Sequence, residues 1–204
     1  EGAAGADDVS HTIVVTEIRD SAGHAELVRA LDEAIRGRDC AGLTTALRQT
    51  LCQLMRERRL SLPDEVFQPN PEHYARREIH RSEELGYTVI AMTWGPGQGT
   101  PVHDHSGLWC VEGVVAGTLE ITQYELLERD GDDFRFEQRG TLDAGPGSAG
   151  SLIPPHEYHA IRNASDRDVA VSLHIYGGEM RCCSVFQPRG EDWYRCCARP
   201  LALD

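Results

Sequence analysis

Two histidines, His103 and His105, stand two residues apart in the segment TPVHDHSG. On a β-strand, residues separated by two point to the same face, so both imidazoles could approach one metal ion while Asp104 faces the other way. An HxH pair alone is also compatible with a surface or packing role. A second segment, PPHEYHAIRN, supplies His156 and His159. The two segments together favour a metal site built from separate parts of the chain.

A third group of reactive side chains lies in AVSLHIY, residues 170–176. Ser172, His174 and Tyr176 alternate along this predicted strand, so a hydroxyl, an imidazole and a phenol share one face. His174 could instead be an ordinary buried histidine with its hydrogen bonds satisfied. Its position between a serine and a tyrosine favours a hydrogen-bond relay.

Short β-rich runs position these residues. After Tyr74 the sequence is divided by Gly, Pro and Asp into runs such as YTVIAMTW, LWCVEGVVAG, TLEITQYELL and DVAVSLHIYG. A spacing of roughly 8–12 residues between runs is typical of an all-β sandwich or barrel. The acidic segment Arg129–Asp133 is predicted to form an exposed hairpin tip.

Two amphipathic helices are predicted before the β-rich region. From Ser21 the apolar residues follow helical spacing, and Gly37 ends the pattern. A second helix begins near Asp39 and ends before the basic residues 56–59. We therefore predict a mainly β single domain with N-terminal helices packed against a barrel. Its parts are an N-terminal segment (1–20), a helical front (21–60), the barrel (74–190) and a C-terminal tail (191–204).

Composition excludes several classes of function. The 204 residues include 20 Lys and Arg against 33 Asp and Glu, a net charge of -13, with no basic stripe. A nucleic-acid or anionic-membrane partner is therefore not expected. The longest apolar stretch, residues 87–94, is too short to span a membrane. The opening EGAAGADDVS has no signal-peptide pattern, and seven cysteines with two adjacent pairs favour a reducing cytoplasm. We expect a cytoplasmic monomer or weak homo-oligomer.

The first histidine segment resembles the first motif of the cupin family, G(X)5HXH(X)3-4E(X)6G. The matching residues are Gly97, His103, His105 and Gly117. Cys110 occupies the position of the motif glutamate.

The second histidine segment resembles the second cupin motif, G(X)5PXG(X)2H(X)3N. Pro154, His159 and Asn163 match it, whereas His156 replaces the motif glycine. The resemblance implies a jelly-roll barrel whose interior holds a metal. His159 is the implied third ligand because Asn163 follows it at the motif spacing, and His156 is the competing candidate.

Loss of the acidic ligand leaves three histidines, which is similar to the thiol dioxygenases within the cupins. Cys110, five residues after His105, and the Ser-x-His-x-Tyr strand both resemble the cysteine dioxygenase family. This resemblance implies an iron(II) enzyme of cysteine catabolism that converts L-cysteine and O2 to cysteine sulfinic acid. It implies His103, His105 and His159 as the iron ligands. It also implies a thioether bond between Cys110 and Tyr176.

The substrate carboxylate is expected to bind an arginine. In the resembling enzymes this arginine follows a tyrosine by two residues, as Arg76 follows Tyr74, although Arg77 could take the position instead. A guanidinium group matches the geometry of a carboxylate. The related 3-mercaptopropionate branch has its arginine after the Ser-x-His-x-Tyr strand. In this sequence Cys183 falls at that position, and Arg181 lies nearby. Cysteine is favoured, with 3-mercaptopropionate or another small mercapto-acid as the alternative.

Charge supports a thiol substrate. Three neutral imidazoles leave iron with its full charge of +2, which favours a thiolate ligand. A different class remains open, because three imidazoles also suit zinc. That alternative is a non-catalytic metabolite-binding cupin or a zinc- or manganese-dependent isomerase.

Overall fold

The computed structural model describes residues 22–204. The predicted N-terminal segment, residues 1–20, lies outside this range. Helix α1 spans Ala22–Ile35 and helix α2 spans Cys40–Arg56, both as the apolar spacing predicts. The side chain of Asp39 caps α2 by accepting a hydrogen bond from the Gly42 amide at 2.8 Å. Neither helix has the length and apolar composition that a membrane crossing requires.

Eleven strands follow a short 3₁₀ helix, Asp64–Phe67. They are β1 Ala75–Ser82, β2 Tyr87–Trp94, β3 Val102–His103, β4 Cys110–Ala116, β5 Leu119–Asp130, β6 Asp133–Ala144, β7 Ala149–Leu152, β8 His159–Arg162, β9 Ala170–Tyr176, β10 Cys182–Gly190 and β11 Trp193–Pro200.

Five strands form one sheet in the order β1-β2-β9-β4-β7. Every residue of β2 and of β9 is buried, because this sheet is covered on both faces. One face packs on apolar side chains of α1 and α2, including Leu31, Leu47 and Leu51. The opposite face carries the alternating side chains of Ser172 and Tyr176 toward the barrel interior. The helices therefore leave the interior of the barrel free for polar side chains.

The remaining strands pair in a closed ring, β10-β11-β6-β5-β8-β3. Strand β11 pairs with β10 along most of its length and with β6 at Trp193–Arg195. Residues 191–204 are predicted to form a C-terminal tail, whereas most of them belong to β11 of the barrel. The predicted hairpin tip connects β5 to β6 through Gly131 and Asp132. The structure is a cupin jelly roll with two helices on one sheet, as predicted.

The two glycines of the first motif allow backbone conformations that other residues disfavour. Gly97 has φ of +73° and Gly117 has φ of +69°, values that side chains disfavour. A Cβ atom at Gly117 would lie 2.7 Å from the Cα atom of Ala170 on β9. Gly117 therefore permits the chain to turn from β4 into β5 directly beside the strand that carries Ser172 and His174.

Candidate metal centre

Three histidines converge inside the barrel. His103 at the end of β3 and His159 at the start of β8 are direct partners across the two strands. His105 lies in the loop after β3, where its ring centroid is 5.2 Å from that of His103 and 5.0 Å from that of His159. One ring nitrogen of each histidine lies within 4.8 Å of the others. The three imidazoles can therefore contact one cation.

The spacing of His103 and His105 predicts that both lie on one strand, but β3 ends at His103. Asp104 turns the chain, because its Oδ1 accepts hydrogen bonds from the amides of Ser184 at 2.8 Å and Ser106 at 3.2 Å. The turn, rather than strand alternation, directs His105 toward His103.

The protonation states of the cluster fit a metal. His103, His105 and His159 are 8%, 1% and 0% exposed, and burial lowers the pKa of each imidazole, so all three are neutral near pH 7. The Nδ1–H of His103 donates to the carbonyl of Pro101 at 3.1 Å, which leaves the Nε2 lone pair free. That Nε2 faces the Nε2 of His159 at 3.1 Å. Neutral imidazoles whose lone pairs converge are a suitable donor set for iron(II) or zinc.

The competing histidine is not part of this cluster. His156 is exposed and forms a bridge with Ile153 in the loop before β8. Asn163, the last residue of the second motif, is 1% exposed, and its side-chain amide donates to the carbonyls of Trp94 and Asp168 at 3.0 and 2.8 Å. Asn163 therefore fixes the loop that follows β8 and, through it, the position of His159.

The predicted relay is assembled in part. Ser172 Oγ lies 2.8 Å from His174 Nε2 and accepts a hydrogen bond from Trp94 Nε1 at 2.9 Å. Tyr176 instead stacks against the His174 ring, with a centroid distance of 6.1 Å, and its ring lies 6.1 Å from that of His105. Burial is the main cause that lowers the pKa of His174 to about 3. The hydrogen-bonded chain therefore runs from Trp94 through Ser172 to a neutral His174.

Cys110 and Tyr176 are partners across β4 and β9. They are 0% and 2% exposed. Burial raises the pKa of both side chains well above their ordinary values, so the thiol and the phenol keep their protons near neutral pH.

The two candidate arginines have different environments. Arg76 is 4% exposed and lines a cavity together with His103, His174 and Tyr176. Its Nη1 donates to the Ala202 carbonyl at 3.2 Å, while its buried Nε has no hydrogen-bond partner within residues 22–204. An unpartnered, buried N–H of a guanidinium group suits an anionic ligand.

Arg77 does not line this cavity. Its guanidinium group donates to Thr93 Oγ1 at 3.0 Å and to the Gln68 carbonyl at 2.9 Å. Successive residues of β1 point to opposite faces, so only one of the two arginines can face the barrel interior.

The same cavity is lined by a guanidinium group that is absent from the predicted site. Cys183 lines the cavity, and its partner across β10 and β11 is Arg199, which lines it as well. Arg181 is exposed and pairs with Glu179 at 2.7 Å instead. Arg199 has no local sequence signal, because its place beside Cys183 depends on the pairing of two strands.

Glu112 is a further residue of the interior that is absent from the predicted site. This residue of β4 is 7% exposed, and burial raises the pKa of its carboxyl group to about 8. Its Oε2 lies 3.4 Å from His174 Nδ1, and its Oε1 lies 3.7 Å from His159 Nδ1. The carboxyl group therefore approaches His159 from the ring nitrogen opposite the one that faces His103. Residues two apart on a strand share a face, so the predicted place of Cys110 in the site could have indicated that Glu112 faces the interior as well.

Comparisons with known proteins identify one family. Residues 66–189 match the family described as "Cysteine dioxygenase type I". The chain is 24% identical over 135 residues to cysteine dioxygenase type 1 of Rattus norvegicus, covering 61% of this chain and 66% of the rat protein. The Danio rerio enzyme is 23% identical over 135 residues, with 61% of this chain and 67% of that protein covered.

Among solved structures, an uncharacterized conserved protein with a double-stranded β-helix domain from Klebsiella pneumoniae is 16% identical, with a TM-score of 0.44. That comparison covers 57% of this chain and 88% of the Klebsiella chain. The family match extends over more than half of the sequence and includes all three clustered histidines. This chain belongs to the cysteine dioxygenase type I family.

Proposed function

We propose that this protein is a mononuclear non-haem iron(II) thiol dioxygenase that converts L-cysteine and O2 to cysteine sulfinic acid. The observation that carries the proposal is the convergence of His103, His105 and His159 as three buried, neutral imidazoles, with no carboxylate in that described cluster. Such a ligand set leaves the cation's charge for an incoming thiolate. Family membership supports the same chemistry.

Arg76 binds the substrate carboxylate in this proposal. Its guanidinium group is fixed by the Ala202 carbonyl and keeps its Nε–H free in the cavity that reaches His103. A carboxylate held by two parallel N–H groups has a defined orientation, so the thiol at the other end of a small substrate is directed to the histidines. Arg77 contributes to the strand rather than to the substrate.

The overall reaction is R–SH + O2 → R–SO2⁻ + H⁺, in which sulfur is oxidised and both oxygen atoms are incorporated. Iron(II), when bound, supplies the redox chemistry that joins O2 to sulfur. Tyr176 is a phenol in a buried site and donates a hydrogen bond to the reacting group. Trp94, Ser172 and His174 hold the neighbouring wall of the cavity in one hydrogen-bonded arrangement.

The experiment is a parallel assay of iron-loaded protein with an oxygen electrode. L-cysteine, 3-mercaptopropionate, cysteamine and mercaptosuccinate are compared at equal concentrations, and products are identified by mass spectrometry. We expect stoichiometric oxygen uptake and a sulfinate product, fastest with L-cysteine. Cysteamine, which lacks a carboxylate for Arg76, should be the poorest substrate. The absence of thiol-dependent oxygen uptake with all four thiols would overturn the proposed activity.

A second candidate substrate class, the small mercapto-acids such as 3-mercaptopropionate, is favoured by one observation. Arg199 adds a second guanidinium group to the cavity that Arg76 lines, and no Asp or Glu among the described residues lines it. A cavity with two cations and no anion suits acidic thiols without an amino group. If this class is correct, R199Q should lower kcat/KM for 3-mercaptopropionate several-fold more than for L-cysteine. Equal effects on both thiols would exclude Arg199 from substrate choice.

The rival from a different class is a non-catalytic metabolite-binding cupin or a zinc- or manganese-dependent isomerase. Elemental analysis of protein purified without added metal distinguishes it. Stoichiometric zinc or manganese, together with no oxygen uptake after anaerobic loading with iron, would favour the rival.

A further inference from the structure

Glu112 is an acidic side chain in the barrel interior that the proposed reaction does not use. It lies on β4 with His174 as its direct partner on β9, and it is 7% exposed. A buried carboxyl group is costly unless its oxygens are paired, yet Oε2 of Glu112 has no hydrogen-bond partner among the described residues. Such a group requires an explanation.

The nearest polar atoms are ring nitrogens of two histidines. Glu112 Oε1 lies 3.7 Å from His159 Nδ1, and this nitrogen is likewise buried and unpartnered within residues 22–204. Oε2 lies 3.4 Å from His174 Nδ1. Each of these two N···O distances is thus only a few tenths of an ångström beyond the ordinary range for a hydrogen bond. A cavity of about 140 Å³ borders Glu112, His159 and His174, so the carboxyl group has space to rotate.

The side of the ring that Glu112 approaches determines what it can do. His159 presents Nε2 to His103 and Nδ1 to Glu112. A carboxyl oxygen that accepts the Nδ1–H of a histidine fixes the tautomer whose Nε2 lone pair can bind a metal, and it orients the ring. His103 already has an equivalent acceptor, because its Nδ1 donates to the Pro101 carbonyl. Glu112 provides for His159 what Pro101 provides for His103.

The second carboxyl oxygen extends the arrangement to the relay strand. His174 faces Glu112 with Nδ1 and Ser172 with Nε2, and Ser172 in turn accepts from Trp94. A single carboxyl group therefore lies between a clustered histidine and the hydrogen-bonded chain that ends at Trp94. No other acidic residue of the described chain makes close contacts with two of these imidazoles.

We propose that Glu112 is a positioning residue that orients His159 for metal binding and couples it to His174, without coordinating the metal itself. The inference rests on the proposed metal centre. It predicts that the affinity for metal, and not only turnover, depends on this carboxyl group. Removing outer-shell partners of this kind typically weakens metal binding about 10- to 100-fold.

The test measures cobalt(II) binding to metal-free protein by competition with a chromophoric chelator, together with the visible absorption spectrum of the bound cobalt. The variants are E112Q, which keeps size and one acceptor, and E112L, which removes both acceptors. The matched control is E157Q, since Glu157 is likewise buried, at 5% exposed, and its Oε2 has no hydrogen-bond partner within residues 22–204, but it does not belong to the histidine cluster. Metal-free unfolding midpoints and circular dichroism identify any variant that does not fold.

We expect the dissociation constant for cobalt(II) to increase about tenfold in E112Q and about a hundredfold in E112L. The cobalt spectrum should shift in both variants. Neither the dissociation constant nor the spectrum should change in E157Q. Folded E112 variants that bind cobalt within twofold of wild type would overturn the positioning role while leaving the metal centre intact. Failure of wild-type protein to bind one cobalt ion per chain would instead overturn the proposed centre and this inference together. The two failures are therefore distinct.

Discussion

Cys110 and Tyr176 face each other directly across strands β4 and β9. Opposed residues of an antiparallel pair place their Cβ atoms about 5 Å apart, a distance that a short bridge between the two side chains can span. Both residues are buried beside the histidine cluster, where His105 lies next to the Tyr176 ring. The site therefore brings an oxidisable thiol and a phenol together at the place where O2 would react.

This relationship predicts a thioether bond between the Cys110 sulfur and the Tyr176 ring after turnover with iron, thiol and O2. Formation of the bond removes one hydrogen from each side chain, with O2 as the oxidant. Intact mass spectrometry should show the loss of two hydrogens, and tryptic mapping should join the two peptides. The C110S variant should show neither change. Unmodified wild-type peptides after many turnovers would contradict the prediction.

A second prediction separates the neighbouring arginines. R76Q should raise KM for carboxylate-bearing thiols by about tenfold or more, because a charge-assisted hydrogen bond contributes roughly 1.5–3 kcal/mol. R77Q is the matched control, since Arg77 donates to Thr93 and Gln68 outside the cavity. It should lower the unfolding midpoint slightly and leave KM close to wild type. Steady-state oxygen uptake measures both variants, and the reverse ranking would assign carboxylate binding to Arg77.

A third prediction concerns the stability of the metal-free protein between about pH 5 and about pH 8. Burial raises the folded-state pKa of Glu112 from 4.5 to about 8, so the folded state binds the proton more tightly than the unfolded chain. Stability from this group is therefore lost as pH rises through that window, by several kilocalories per mole. Cys110 and His174 face Glu112 and carry no charge across the same range. His159 also faces Glu112, and burial lowers the pKa of its imidazole well below the ordinary value.

The comparison with E112Q isolates this effect. Burial lowers the pKa of His174, so the contribution of this residue to folding stability is lost in the opposite direction, as pH falls below 6.5. This loss is the same in wild type and in the variant. The difference between the unfolding free energies of wild type and E112Q should therefore change steadily between about pH 5 and about pH 8, at the expense of wild type. Chemical denaturation at several pH values measures it. Parallel curves would show that Glu112 ionises without penalty.

The sequence predicted most of the side-chain orientations that depend on a single strand. Alternation along β9 correctly placed Ser172, His174 and Tyr176 on one face, and both helices were identified from the spacing of leucines. The same rule applied from Cys110 would have placed Glu112 in the interior, but the motif comparison directed attention to Cys110 as the replacement for glutamate. Glu112 lies two positions after Cys110 on β4.

Other features depended on contacts between different segments of the chain. Arg199 reaches the cavity because β11 pairs with β10, and residues 193–200 do not alternate clearly between polar and apolar types. His105 faces His103 because Asp104 binds the amide of Ser184 on β10. The contact between Asp104 and Ser184 has no local signal, since these residues are 80 positions apart and come together only in the folded barrel.

The double covering of the five-stranded sheet has a consequence for amide hydrogen exchange. Strand β9 lies between β2 and β4, and none of its residues reaches solvent on either face. Its amide protons can exchange only when the whole domain opens, so their rates should report the global free energy of unfolding. The protons of the exposed β5–β6 hairpin tip should exchange far sooner. The strand that carries the reactive side chains is thus expected to be the slowest-exchanging segment of the molecule.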